Sequence, residues 1–182
     1  MKCKRFKILL LTVLLAGSYN VFAQKTLSPD PKRPRAADDY KPRTLKEVID
    51  APDTDSRGNK LETMLIYADI FPSRAGVTFT GSSRPLLQLK KEVLRQWARL
   101  YAGVPEGYTD RYETEMLFTQ NGNDYWLAIR KDLLPHFKQV LRAGDAVDLN
   151  LIRVGSAKLS EAWEPVLLVE SRVSSTAQSC AP

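Results

Sequence analysis

The chain has 182 residues with 43% hydrophobic side chains and a formal net charge of +6, enough for one modest core. A single histidine and two cysteines exclude His-cluster metal centres and a disulfide framework. Residues 1–23 carry four Lys/Arg and no acid, residues 24–43 carry six against three, and 44–182 carry 17 against 18. The basicity therefore belongs to the first 43 residues, and the remainder offers no electrostatic footprint for a nucleic acid.

Lys2, Lys4, Arg5 and Lys7 precede the short apolar run 8–16, and Val21-Phe22-Ala23 supplies the residues a signal peptidase reads. This layout predicts an export signal cleaved after Ala23 and a periplasmic or secreted product. The run is roughly half the ~20 residues a membrane span needs, and no later segment supplies one. Cys3 leaves with the signal, so Cys180 is the cysteine left to join another chain. Residues 24–43 hold four prolines and almost no large apolar residue, which predicts a disordered basic linker before one domain over 44–173 and a flexible tail over 174–182.

Thr44 and Glu47 have capping-box spacing, so a short helix is expected to Ala51, where Pro52 stops it. A loop follows at 53–59. Its Asp53, Asp55 and Asn59 lack the glycine and distal glutamate of a calcium loop. Residues 61–71 fit either a helix or a buried strand. Gly76–Thr80 is expected as a short strand. Leu86, Leu89, Val93, Trp97 and Leu100 recur at helical spacing and predict a long amphipathic helix over 85–102. Lys91, Arg95 and Arg99 form a basic ridge on another of its faces, a possible contact for an acidic partner.

Asn121-Gly122 is the strongest short hairpin signal. Taken as a two-residue loop, it sets Phe118 against Tyr125, Met116 against Leu127 and Thr114 against Ile129 on one apolar face. Leu117 then opposes Trp126, Glu115 opposes Ala128 and Glu113 opposes Arg130 on the other. A helix over 132–142 follows, with Asp132 as its N-cap and Leu133, Phe137 and Val140 buried. Residues 146–154 alternate as a strand, 155–164 are expected as a loop, and 165–173 as a final strand.

Strand, strand, short helix, strand, strand resembles an OB-fold, carried here by the hairpin 113–130, the helix 132–142 and the strands after Gly144-Asp145, with 77–80 as a first strand. The resemblance implies a small, mainly antiparallel β-barrel with a short helix between strands; the long helix 85–102 ahead of the hairpin departs from that fold and makes the expected class α+β. It also implies ligand binding on the second and third strands. The candidate site is Trp126, Leu117, Arg130 and Glu113 on the less apolar hairpin face.

No catalytic motif appears: no phosphate loop, no nucleophile elbow, and His136 stands alone at a helix start. No cofactor or metal is expected. The expected function is a non-enzymatic exported binding module for an envelope protein or saccharide. The alternatives are an envelope-polymer hydrolase using Glu113, Glu115 or Asp124, and a structural envelope component linked through Cys180.

Overall fold

The computed structural model describes residues 35–51, 59–68, 71–104 and 107–173. The expected export signal, the expected linker up to residue 34, residues 52–58, the expected tail and both cysteines lie outside the described residues. Eleven elements follow in order: β1 (Lys41–Pro42), α1 (Leu45–Asp50), β2 (Asn59–Lys60), β3 (Met64–Ile66), β4 (Ser73–Pro85), α2 (Gln88–Trp97), β5 (Tyr112–Gln120), β6 (Asn123–Arg130), α3 (Leu134–Val140), β7 (Ala146–Leu159) and β8 (Ala162–Val173). Among the described residues they form one mixed sheet in the order β1-β4-β5-β6-β8-β7-β3-β2. A further β4–β7 pairing closes β4, β5, β6, β8 and β7 into a ring. Every pairing in the ring is antiparallel except β6–β8, which is parallel and spans only Ala128↔Leu168 and Ile129↔Val169.

The β5–β6 hairpin is the clearest case of sequence setting register. Asn121 and Gly122 take φ of 53° and 79°, the pair of positive values a type I′ turn requires. Phe118 faces Tyr125, Met116 faces Leu127, Leu117 faces Trp126 and Thr114 faces Ile129, as the alternation predicts. Met116, Phe118, Leu127 and Ile129 are fully buried, with Tyr125 packed against them. Val77 and Phe79 of β4, Val147, Leu149 and Leu151 of β7, and Leu167 and Val169 of β8 complete this inner core. Leu45 and Val48 of α1, Phe137 of α3 and Leu141 just beyond it pack into the same cluster.

A second apolar layer lies outside the ring. Val93, Leu94 and Trp97 of α2 pack on Ala128, Ile152, Val154, Ala157, Val166 and Leu168. Gly155 lets this layer close: a Cβ there would lie 2.2 Å from the Leu65 carbonyl oxygen and 2.6 Å from Val93 Cγ1. Burial of each such side chain contributes roughly 1.5–3 kcal/mol, so α2 is held by packing rather than by its short length.

Several expectations are corrected. The long helix over 85–102 shortens to Gln88–Trp97, followed by a π-helical turn over Ala98–Ala102. Pro85 instead ends β4, which runs 13 residues because it bulges between Phe79 and Ser83 and so pairs both β7 and β5. Leu100 is consequently exposed. Within 61–71, a stretch that fits either helix or strand, Met64–Ile66 form the strand β3. The helix over 132–142 contracts to α3, without a side-chain N-cap, because Asp132 is bonded to Arg130. Val140 is exposed and Leu141 buried, since the chain turns extended at Leu141.

The loop expected over 155–164 is mostly strand. Here β7 runs on to Leu159 between β3 and β8, and the hairpin turns at Ser160, whose φ is 56°. The linker also ends earlier than expected. Tyr40 is buried, β1 pairs with β4, and both Arg35 and Tyr40 bind the Glu170 carboxylate on β8. Thr44 caps α1 as its spacing predicts: its Oγ1 accepts from the Glu47 amide at 3.1 Å, and its own amide donates to Glu47 at 2.7 Å.

Candidate functional site

The outer face of β5 and β6 carries a closed ring of four charges. Arg84 at the end of β4 stands opposite Glu115 on β5. Its Nε donates to Glu115 Oε2 at 2.8 Å, and its Nη2 donates to Glu164 Oε2 at 3.0 Å. Lys90, on the buried face of α2, donates to Glu115 Oε1 at 2.6 Å and reaches Glu164 Oε2 at 3.0 Å. Glu115 and Lys90 are each 1% exposed, whereas the side chains of Arg84 and Glu164 are 26% and 34% exposed. Burial alone would raise the Glu164 carboxyl. The hydrogen bonds and charges of Lys90 and Arg84 overcome it and hold that carboxyl below the usual carboxylate range.

Trp126 borders this ring. It is half-buried, and the Arg84 guanidinium lies over its indole at 4.1 Å from the ring centre. A cation–π contact of this kind contributes about 0.5–2 kcal/mol, more as it is desolvated. Trp126 belongs to neither apolar cluster. The stripe of α2 is spent on β7, β8 and Ala128, so the helix does not seal the tryptophan as a second core layer. Leu117, its partner across the hairpin, is also half-buried.

The four residues expected to form one site fall into two groups. Trp126 and Leu117 sit together toward the hairpin turn. Glu113 and Arg130 lie at the other end of the strands and are not opposed. A bulge between Tyr112 and Thr114 shifts the register, so Arg130 faces Tyr112. Glu113 instead binds Lys131 at 2.6 Å. Arg130 grips Asp132 with two bonds of 2.6 Å. These bonds hold the Asp132 carboxyl below its usual range and the Arg130 guanidinium above its own. Arg130 lines a separate cleft of about 440 Å³ with Asp110, Arg111, Lys131 and Asp132. A larger groove of about 600 Å³ opens beside the hairpin turn, and its one acidic side chain, Asp148, is bound by Arg74 at 2.6 Å. Trp126 lines neither.

The basic ridge is weaker as a contact surface than its spacing implied. Arg95 is paired with Glu92 at 2.7 Å, Lys91 is half-buried, and Arg99 is exposed. The carboxylates proposed for hydrolysis do not converge. Glu113 belongs to Lys131, Glu115 to Arg84 and Lys90, and Asp124 is exposed opposite Thr119. His136 is exposed, with Nε2 3.5 Å from Arg172. Among the described residues no cluster of three or more His, Cys, Asp or Glu side chains is placed to hold a metal ion, and no helix is long and apolar enough to cross a membrane.

Arg84, Lys90 and Glu164 escaped the sequence reading. One signal was present: Lys90 lies three residues before Val93 and seven before Trp97, on the apolar face of the helix. A lysine on a buried stripe demands a carboxylate partner. Compared with protein-family models, curated proteins and solved structures, the chain matches none.

Proposed function

We propose that the chain is an exported, non-enzymatic binding module built on an OB-like barrel, with the Trp126 face of β5 and β6 as its ligand surface. The observation that carries this reading is the half-buried Trp126, set on the sheet beneath Arg84 and outside the apolar layer that α2 packs on. A soluble domain gains from burying a tryptophan, and a flat aromatic kept at a rim beside a guanidinium suits stacking on a ligand.

The barrel reading draws support from the strand connections. The third and fifth strands of the ring are parallel, α3 lies between its third and fourth strands, and the long first strand pairs both the second and the fourth. These connections resemble the OB-fold, in which the corresponding face takes ligands. The insertion of α2 between the first two strands is this chain's departure. Export rests on the three-part layout of residues 1–23. The non-enzymatic reading draws on the ion pairs that occupy Glu113 and Glu115.

The test is capture from a cell-envelope extract with the exported chain and its Trp126→Ala variant. Retention of an envelope component by the parent and its loss in the variant, with unchanged circular dichroism, is the expected result. Equal capture by both removes Trp126 from the site. Intact-mass measurement of the exported protein checks cleavage after Ala23, and recovery of an uncleaved cytoplasmic chain overturns the export reading.

A further inference from the structure

We infer that Arg84 and Lys90 form a carboxylate-binding fork, filled at rest by Glu164, and that the ligand of the Trp126 face is a carboxylate-bearing saccharide that displaces it. This inference rests on the Trp126 face being the binding surface.

The two carboxylates of the charge ring are not equivalent. Glu115 is fixed in the middle of β5, fully buried, and bonded at 2.6 and 2.8 Å to the two cations. It is the permanent counter-charge that brings the cations together. Glu164 is a third exposed and makes two longer contacts of 3.0 Å. It sits opposite Ala157, two positions inside the β7–β8 ladder from the turn-end pair of Leu159 and Ala162. Its partly exposed side chain has room to swing that the buried Glu115 lacks. With Glu115 counted, Arg84 and Lys90 retain one unit of positive charge, which Glu164 neutralises. If Glu164 swings away, a negatively charged acceptor is needed in place of its Oε2, which takes both contacts, because a buried lysine left short of a partner is costly. A carboxylate from a ligand meets that demand.

The position of Trp126 narrows the class. Arg84 lies directly on the indole, so any carboxylate that reaches Arg84 arrives beside the tryptophan ring. The rest of the ligand must then cover Leu117 and the exposed part of the half-buried Trp126, whose ring Arg84 overlies. The flat C–H face of a pyranose does so without introducing a new charge. A peptide C-terminus offers the same carboxylate with less planar bulk, and it serves as the competing outcome.

The experiment titrates three probes into the parent chain, Glu164→Gln and Arg84→Gln, read by tryptophan fluorescence and calorimetry. The probes are an oligogalacturonate, the same oligosaccharide with its carboxylates reduced to alcohols, and acetyl-Ala-Ala. Glu164→Gln is expected to tighten oligogalacturonate binding by about tenfold, the gain when a competitor filling the fork roughly nine-tenths of the time is removed. The reduced oligosaccharide should gain nothing, and Arg84→Gln should abolish the tight binding. An unchanged or weakened affinity in Glu164→Gln, or equal binding of the reduced form, overturns the fork. Tighter binding of acetyl-Ala-Ala than of oligogalacturonate overturns the saccharide class. If oligogalacturonate fails while capture still depends on Trp126, the fork is wrong and the surface stands. If capture survives Trp126→Ala, the surface itself is wrong.

Discussion

Replacing Lys90 with methionine tests whether the charge ring or simple packing holds α2 to the sheet. Methionine keeps most of the volume of the lysine stem and removes the ammonium. Glu115, 1% exposed, then loses its 2.6 Å partner and keeps only the 2.8 Å bond to a quarter-exposed Arg84. Removing one partner of a buried ion pair costs 3–5 kcal/mol, and the remaining arginine places this case near ~3 kcal/mol. For a domain of this size that corresponds to a drop in Tm of roughly 10 °C. Glu115→Leu should lose about as much, since Lys90 would keep only Glu164, at 3.0 Å. The double variant Lys90→Met/Glu115→Leu removes both buried charges and leaves Arg84 bonded to Glu164 at 3.0 Å. Its loss should be about 1 kcal/mol, so the pair couples by about 5 kcal/mol in a double-mutant cycle. Urea denaturation of the four proteins, with m-values compared, measures this directly. A double variant that loses the sum of the two single losses would refute the reasoning, because each side chain would then act through packing alone.

Three further outcomes follow from the geometry. Gly155→Ala should destabilise the chain by about 1–3 kcal/mol or more, because its Cβ meets the Leu65 carbonyl at 2.2 Å and one of the packed layers must shift; an unchanged denaturation midpoint would mean that β3 does not approach β7 as described. A chain beginning at residue 44 should be about 2–3 kcal/mol less stable than one beginning at residue 35, through loss of buried Tyr40 and the bonds to Glu170; equal urea midpoints would restore residues 35–43 to the linker. Because its folded pKa is depressed, Glu164 contributes stability present above its unfolded value, near about pH 4.3, and lost as pH falls through the lower folded value. Between pH 5 and pH 2 the parent should therefore lose more stability than Glu164→Gln, and parallel pH profiles would show that the carboxylate gains nothing from its two cations.

The inner half of the fold was legible because it obeys simple periods. The alternation around Asn121-Gly122 allows one register, and a slip by one residue would have exposed Phe118 and Leu127. The capping pair Thr44 and Glu47 is equally local. What escaped depends on neighbours distant in sequence. Ser156 and Lys158 look like loop residues, yet a strand paired on both sides needs no run of apolar side chains where small residues such as Gly155 and Ala157 let α2 and β3 approach. The bulge at Glu113 comes from one unpaired backbone position, which leaves no mark in the side-chain pattern, and it separated Glu113 from Arg130. At the candidate site, Trp126 and Leu117 were found from hairpin alternation. Arg84 and Glu164 were not, because they meet only when β4 and β8 come together.

The seam between β6 and β8 has a consequence for how the molecule assembles. It holds only Ala128 against Leu168 and Ile129 against Val169, and it joins strands separated in sequence by α3 and the whole of β7. No local turn brings these partners together, so their loop-closure entropy is met only after the β7–β8 hairpin has formed and docked. The ring of strands is therefore zipped shut last, at its narrowest join. The first opening that native-state hydrogen exchange detects in the sheet should run along that line, with β5–β6 and β7–β8 persisting as separate protected hairpins.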